Sequence, residues 1–227
     1  MGWVVLVVRT AALAVAIGAL TLRADCAFVT RTCLGTNLFS YFTVHSTILL
    51  ILVLGLTLIH HAHRGAEPVW LTAFRALATT YMIVSGVVFT IMLANAELFG
   101  YLFLVPSSSK VLHFVLPVYA VADFLLGPGR HRLAVSTAWT SMVYPVLWAA
   151  YTLVRGRLVG WYPYFFLDPD QVGGYTAVGL YSLGVSALIL TTALLVAAAT
   201  RLPSLPARPL SPAQRSSGHR GHQRRGV

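Results

Sequence analysis

Phe39-Ser40-Tyr41-Phe42-Thr43-Val44-His45-Ser46-Thr47, running on into the apolar stretch 48–59, decides the fold. About 20 predominantly apolar residues cross a ~30 Å hydrocarbon core as one helix. The apolar half of this stretch carries no charge. Its polar and aromatic opening has the composition of a span where it meets the membrane surface. Thr43 is thereby placed in the first turns of a membrane helix, buried among neighbours yet within reach of water.

The same pattern recurs along the 227 residues, of which 57% are hydrophobic and only 10% charged. A soluble domain carries roughly 25% charged residues, so a soluble globular fold is excluded. The apolar runs predict an all-α, polytopic membrane bundle of six transmembrane helices at residues 2–22, 41–59, 76–95, 110–126, 133–154 and 175–199. No basic segment precedes the first run, and Leu22-Arg23-Ala24-Asp25-Cys26 is a poor cleavage site. The run 2–22 therefore reads as a span rather than a signal peptide. Residues 1–200 form the membrane domain. Residues 201–227, rich in Pro, Ser, Gly and Arg, form a disordered tail. The net charge is +10, but six of the sixteen basic residues lie in that tail. The basic balance therefore sets topology rather than marking a nucleic-acid surface, and it puts both termini on the cytoplasmic side of a cell membrane.

With six spans and the termini inside, the second and fourth spans both begin on the outer side. Thr43 lies two residues into one and His113 three into the other, so at ~1.5 Å rise per residue both sit within ~5 Å of one level. An ionisable residue within a span is costly and is by default a functional residue. A histidine that takes a proton from a threonine hydroxyl makes that threonine a competent acyl-transfer nucleophile. The bland alternative is that Thr43 bonds its own backbone or a neighbouring helix. Ser46 and Thr47, at i+3 and i+4 from Thr43, share its face and are placed either to donate hydrogen bonds to a substrate or to pack. His45 lies about 200° around the helix from Thr43 and points away.

The remaining polar residues read more plainly. Arg9 is near enough to a helix end to send its charge to the interface. Asp123 pairs with Arg130 or Arg132 at the inner end of its span. His60, His61 and His63 form an interfacial polar cluster, and no metal site is predicted. Cys26 and Cys33 are spaced so that a disulfide can close if their loop faces an oxidising compartment, and spacing alone leaves the pairing open. Residues 97–105 either lie in the interface or extend the third span. No Gly-rich phosphate loop, nucleophile elbow or paired metal-binding cysteines occur, and no cofactor is predicted.

Three segments occur in order: Tyr41-Phe42-Thr43-Val44-His45-Ser46, His113 followed by Val115-Leu116-Pro117, and Trp161-Tyr162-Pro163-Tyr164-Phe165-Phe166-Leu167-Asp168. Together they resemble the androgen-induced-gene family of six-span membrane proteins and its bacterial relatives. Animal members of that family are threonine hydrolases of fatty acid esters of hydroxy fatty acids. The chain departs from the bacterial pattern at His45 and Thr47, where Gln and Asn are usual, and at Phe165, where Pro is expected. The resemblance implies a lipid ester hydrolase with Thr43 as nucleophile and His113 as base. Membrane lipids would be its substrate. Asp168 would match an acidic residue of the family segment, and Ser46, Thr47 and Tyr164 are candidates to bind or orient substrate. Backbone amides near Thr43, Ser46 or Tyr164 are the candidate oxyanion donors. The alternatives are a small transporter or lipid-binding bundle in which His113 and Asp123 handle protons, and a non-catalytic membrane scaffold. The absence of visible internal repeats counts against transport.

Overall fold

The computed structural model describes residues 3–31, 33–63, 67–95 and 105–202. The expected tail beyond residue 202, Glu97 and most of the 97–105 segment, and the side chain of His63 fall outside these residues.

The described chain is helical throughout its ordered elements, with no strand among them. Six longer helices follow in order: α1 (Trp3–Phe28), α2 (Phe42–His63), α3 (Val69–Ala94), α4 (Ser107–Leu126), α5 (Val143–Val159) and α6 (Tyr175–Ala199). Five of them, all but α5, are long and apolar enough to cross a membrane. Large apolar side chains such as Leu22, Val118, Leu147, Leu180 and Leu195 are exposed on the bundle's outer surface. In water such a surface would be prohibitive, whereas against lipid tails it is the ordinary exterior of a span.

The fifth expected span, 133–154, is where the structure differs. Residues 133–136 are not helical, a single turn Thr137–Thr140 follows, and α5 begins only at Val143. The cause is Pro145. It has no N–H to give the carbonyl of Ser141, so a continuous helix through this point would lose a bond. The break leaves Pro145 in the first turn of α5, where proline is tolerated, and the freed Ser141 carbonyl accepts a 2.8 Å hydrogen bond from the Tyr81 hydroxyl. The displaced helix carries Arg155 and Arg157 in its last turns, which lowers its apolarity.

Helix α3 is the centre of the bundle and packs against α2, α4 and α6. It buries residues around most of its circumference between Leu71 and Gly86, unlike the outer helices. Helix α4 contains one wide turn of π-helix, Val111–Val115. Pro117 accounts for it, because it cannot donate to the His113 carbonyl. Gly86 of α3 packs onto that exposed carbonyl: a Cβ at position 86 would stand 2.8 Å from it and 3.3 Å from Pro117 Cγ. The glycine therefore sets how closely α3 and α4 approach.

Two structural links mark opposite ends of the bundle. At one end Cys26, in the last turn of α1, is joined in a disulfide to Cys33 of the loop that follows. At the other lies a buried ionic network. Arg9 Nε contacts Asp123 Oδ1 at 2.7 Å, and Arg75 Nη2 contacts Asp123 Oδ2 at 3.0 Å. Arg75 Nη1 lies 2.8 Å from Glu67 Oε2, and the Thr72 hydroxyl donates to Glu67 Oε1. This corrects two expectations. Arg9 does not reach the interface; its side chain is fully buried, because Asp123 of α4 offers a partner inside the bundle. Asp123 does not pair with Arg130 or Arg132. Arg130 instead donates to the carbonyls of Phe124, Leu125 and Leu202. It thereby closes the end of α4, where helical acceptors are left over.

Candidate active site

Thr43 is the second residue of α2. Its backbone N–H and that of Phe42 are among the donors that a helix leaves unsatisfied at its start. Its hydroxyl does not fold back onto its own helix as those of Thr47, Thr57, Thr80 and Thr90 do. It lies 2.9 Å from the Ser85 hydroxyl of α3. Ser85 Oγ in turn lies 3.5 Å from His113 Nδ1 on α4. Three helices thus contribute one side chain each to a line of hydroxyl, hydroxyl and imidazole. Thr43 and His113 both contact Ser85, which stands between them. No feature around Ser85 in the sequence marks it, since a serine within a span is common interhelical glue.

The imidazole is held without a carboxylate. Its ring stacks on Phe89 at 3.8 Å between centroids, with 6° between planes, and the backbone carbonyl of Ser85 also faces it. The π turn at Val111–Val115 and the Gly86 contact fix the backbone that carries it. π-bulges of this kind recur at functional sites.

Tyr164 enters from the loop between α5 and α6. Its phenol faces the Thr43 side chain and the backbone amides of Phe42 and Thr43. An aromatic cage holds it: Tyr41 and Trp148 edge-on at 5.8 and 6.0 Å, and Phe166 stacked at 5.2 Å. Burial pushes the phenol up to about 12. That is above the ordinary tyrosine range, so Tyr164 is a neutral hydrogen-bond donor at physiological pH. Its proton is available to Thr43 or to an oxygen placed beside it.

All four groups line one cavity of about 520 Å³ whose walls are otherwise mostly apolar and aromatic, Phe42, Val88, Phe89, Trp148 and Ile189 among them. That size and a few converging polar groups are typical of a small-molecule site.

The other sequence candidates fall elsewhere. Ser46 and Thr47 are fully buried and both donate to the Thr43 carbonyl, at 3.0 and 2.8 Å, so they brace the Thr43 backbone and do not line the cavity. Asp168 is also turned away from His113. Its carboxylate accepts from the Asp170 N–H and the Gln171 side chain, capping the short helix Pro169–Val172. His45 points to Tyr144, whose hydroxyl lies 2.6 Å from its Nδ1, and away from Thr43 as the helical spacing required. His61 Nδ1 contacts the Thr57 carbonyl at 2.9 Å, and no grouping of metal-ligating side chains exists among the described residues.

Comparison with known proteins adds no assignment: no family model, no curated protein and no solved structure matches the chain.

Proposed function

We propose that this protein is a multi-pass membrane hydrolase that cleaves lipid esters, with Thr43 as nucleophile and His113 as base. The observation that carries the proposal is the line of hydrogen-bonding groups from Thr43 through Ser85 to His113 on the wall of an apolar cavity. A threonine becomes nucleophilic only if its proton has somewhere to go, and here the exit leads to an imidazole. Thr43 attacks the ester carbonyl, an acyl-threonine forms as the alcohol leaves, and water then releases the acid. Oxyanion donors are available beside the attacking oxygen: the Tyr164 phenol and the amides of Phe42 and Thr43 at the positive end of α2. The apolar walls suit an acyl chain.

Topology supports an outward-facing site. A disulfide persists where the surroundings are oxidising. The bonded Cys26–Cys33 loop lies at the same end as Thr43. Helix α5 has 17 residues. Its length is about 25 Å. If it completes the crossing as a sixth span, both termini lie in the cytoplasm. Transport is the weaker reading. It would use Asp123 for protons, yet that carboxylate is committed to two arginines.

The test is fatty acid release from lipid esters by purified protein, with labelling by a fluorophosphonate probe. Thr43→Ala and His113→Ala should each lower kcat by about a thousandfold or more, and Thr43→Ala should lose the label. Equal rates in wild type and both variants would remove the hydrolase assignment and leave a lipid-binding bundle.

A further inference from the structure

We propose that Ser85 is the proton relay of this site: the Thr43 proton passes to Ser85 Oγ as the Ser85 proton passes to His113 Nδ1. This rests on the ester-hydrolase reading above and goes beyond it, because it assigns the transfer to a third residue.

Geometry makes the serine necessary. Thr43 Oγ1 contacts Ser85 Oγ at 2.9 Å, and it is Ser85 Oγ that meets the imidazole, at 3.5 Å. Both residues are nearly buried, Thr43 at 6% and Ser85 at 5% exposure, so the two hydroxyls face each other and the cavity rather than bulk solvent. Bonding to its own helix is the usual fate of a hydroxyl in a span. Thr80 and Thr90 of α3 follow that habit, and Ser85 does not. With the Thr43 hydroxyl as donor and His113 Nδ1 as acceptor, the Ser85 hydroxyl accepts on one side and donates on the other, the arrangement in which a hydroxyl can take up and hand on a proton without carrying net charge for long. The longer step, to His113, is the one that must shorten when substrate binds, as catalytic hydrogen bonds commonly do.

In the first step a bond forms from Thr43 Oγ1 to the carbonyl carbon. The Thr43 O–H bond breaks and its proton joins Ser85, while the original Ser85 proton joins His113, giving an imidazolium and a tetrahedral oxyanion. When the oxyanion collapses, the bond to the alkoxy oxygen breaks. The imidazolium proton returns through Ser85 to the departing alcohol. Water repeats the sequence on the acyl-threonine and restores all three groups.

The rival role is that Ser85 itself is the nucleophile, its hydroxyl being the one in contact with the imidazole. The experiment uses full-length protein in detergent micelles, a p-nitrophenyl ester of a medium-chain acid, and a fluorophosphonate whose adduct is located by peptide mass spectrometry. The wild type should show a bowed proton inventory in mixed H₂O and D₂O, the signature of two protons in flight, and an adduct on Thr43. Ser85→Ala should lower kcat roughly 100- to 1,000-fold. Its KM should stay within about threefold, and its adduct should still form, slowly, on Thr43. A Ser85→Ala kcat within about threefold of wild type, a linear wild-type inventory, or a wild-type adduct on Ser85 would overturn the relay. Thr43→Ala separates the levels. If it loses activity while Ser85→Ala does not, only the relay fails. If it keeps wild-type kcat, the Thr43 hydrolase fails with it.

Discussion

Two contacts between side chains of helices α3 and α4 differ in kind. Ser85 meets His113 toward the disulfide end; Arg75 meets Asp123 toward the other. Ten residues separate Arg75 from Ser85 on one helix and His113 from Asp123 on the other. That spacing is about 15 Å along each axis. They are two rungs of a single antiparallel register, each completed by a third helix: Thr43 of α2 at one rung, Arg9 of α1 at the other. The Arg75 rung is made of full charges in closed pairs, with Glu67 bringing the network to two arginines and two carboxylates. The Ser85 rung is made of neutral groups, loosely spaced, on the wall of a cavity. In a medium that cannot solvate charge, closed pairs hold helices in place and open neutral groups are left able to react. The first rung sets the register and the second uses it.

The largest expected effect breaks the ionic rung. Asp123→Ala leaves Arg9 and Arg75 facing each other without their shared carboxylate. Removing one partner of a buried pair typically costs about 3–5 kcal/mol, which a denaturation curve in mixed micelles would read. Replacing Arg9 and Asp123 together, by Met and Leu, should recover part of that loss. Arg75 would still keep Glu67. If Asp123→Ala costs less than about 1 kcal/mol, the value of an exposed pair, the charges do not set the register and the contrast between the rungs collapses.

A smaller effect tests whether the rungs share a register at all. Gly86→Ala would put a methyl group 2.8 Å from the His113 carbonyl. Helices α3 and α4 must then part near the Ser85 rung. Overpacking of this sort costs about 1–3 kcal/mol, read in the same denaturation curve. The already long Ser85–His113 contact should open further, lowering hydrolysis more than tenfold. Wild-type activity in Gly86→Ala would mean that the approach of the two helices does not govern the site.

What is legible in the sequence follows from what each feature depends on. The spans are legible because hydropathy over about 20 residues is a property of the segment alone. The level shared by Thr43 and His113 is legible from topology and helical rise. The fifth span is not, because apolarity hides the break at Pro145, where the freed Ser141 carbonyl finds its partner, Tyr81, on a distant helix. Arg130 and Arg132 attract the assignment of Asp123 because they are near in sequence, whereas its partners lie 114 and 48 residues away. Ser46 and Thr47 share the expected face, but a hydroxyl in a helix has its own carbonyls as nearest acceptors. Here those acceptors won. Ser85 offers one usable signal: its spacing from Arg75 equals that of His113 from Asp123, which an antiparallel pair turns into two contacts.

Next in size is Tyr164→Phe. It removes the phenolic donor beside Thr43 and leaves the aromatic cage in place, so kcat should fall about 10- to 100-fold with KM little changed. Because burial holds the phenol up to about 12, it does not ionise across the ordinary tyrosine range. A group whose acid form is favoured by folding contributes fully to stability below its unfolded value near ~10, and the contribution is lost as pH rises toward the folded one. The wild-type rate should therefore show no break between about pH 9 and 11 attributable to this residue. A Tyr164→Phe enzyme with wild-type kcat would remove the phenol from the oxyanion site.

The smallest expected effect is the stability change in Ser85→Ala, and it is the sharpest test of the comparison. Interhelical hydrogen bonds in membrane bundles average only about 0.6 kcal/mol and rarely exceed about 1.7 kcal/mol. Ser85 makes two such contacts, one of them long. Alanine is also a better helix former than serine. The unfolding free energy should move by less than about 1 kcal/mol, within reach of a careful denaturant titration. A rung kept to hold helices together would lose stability and activity in proportion. A rung kept for chemistry loses activity with its stability almost intact. A loss of about 3 kcal/mol or more on removing this single hydroxyl, the scale of a broken buried ion pair, would make the two rungs alike, both of them fasteners, and the cavity beside Ser85 incidental to it.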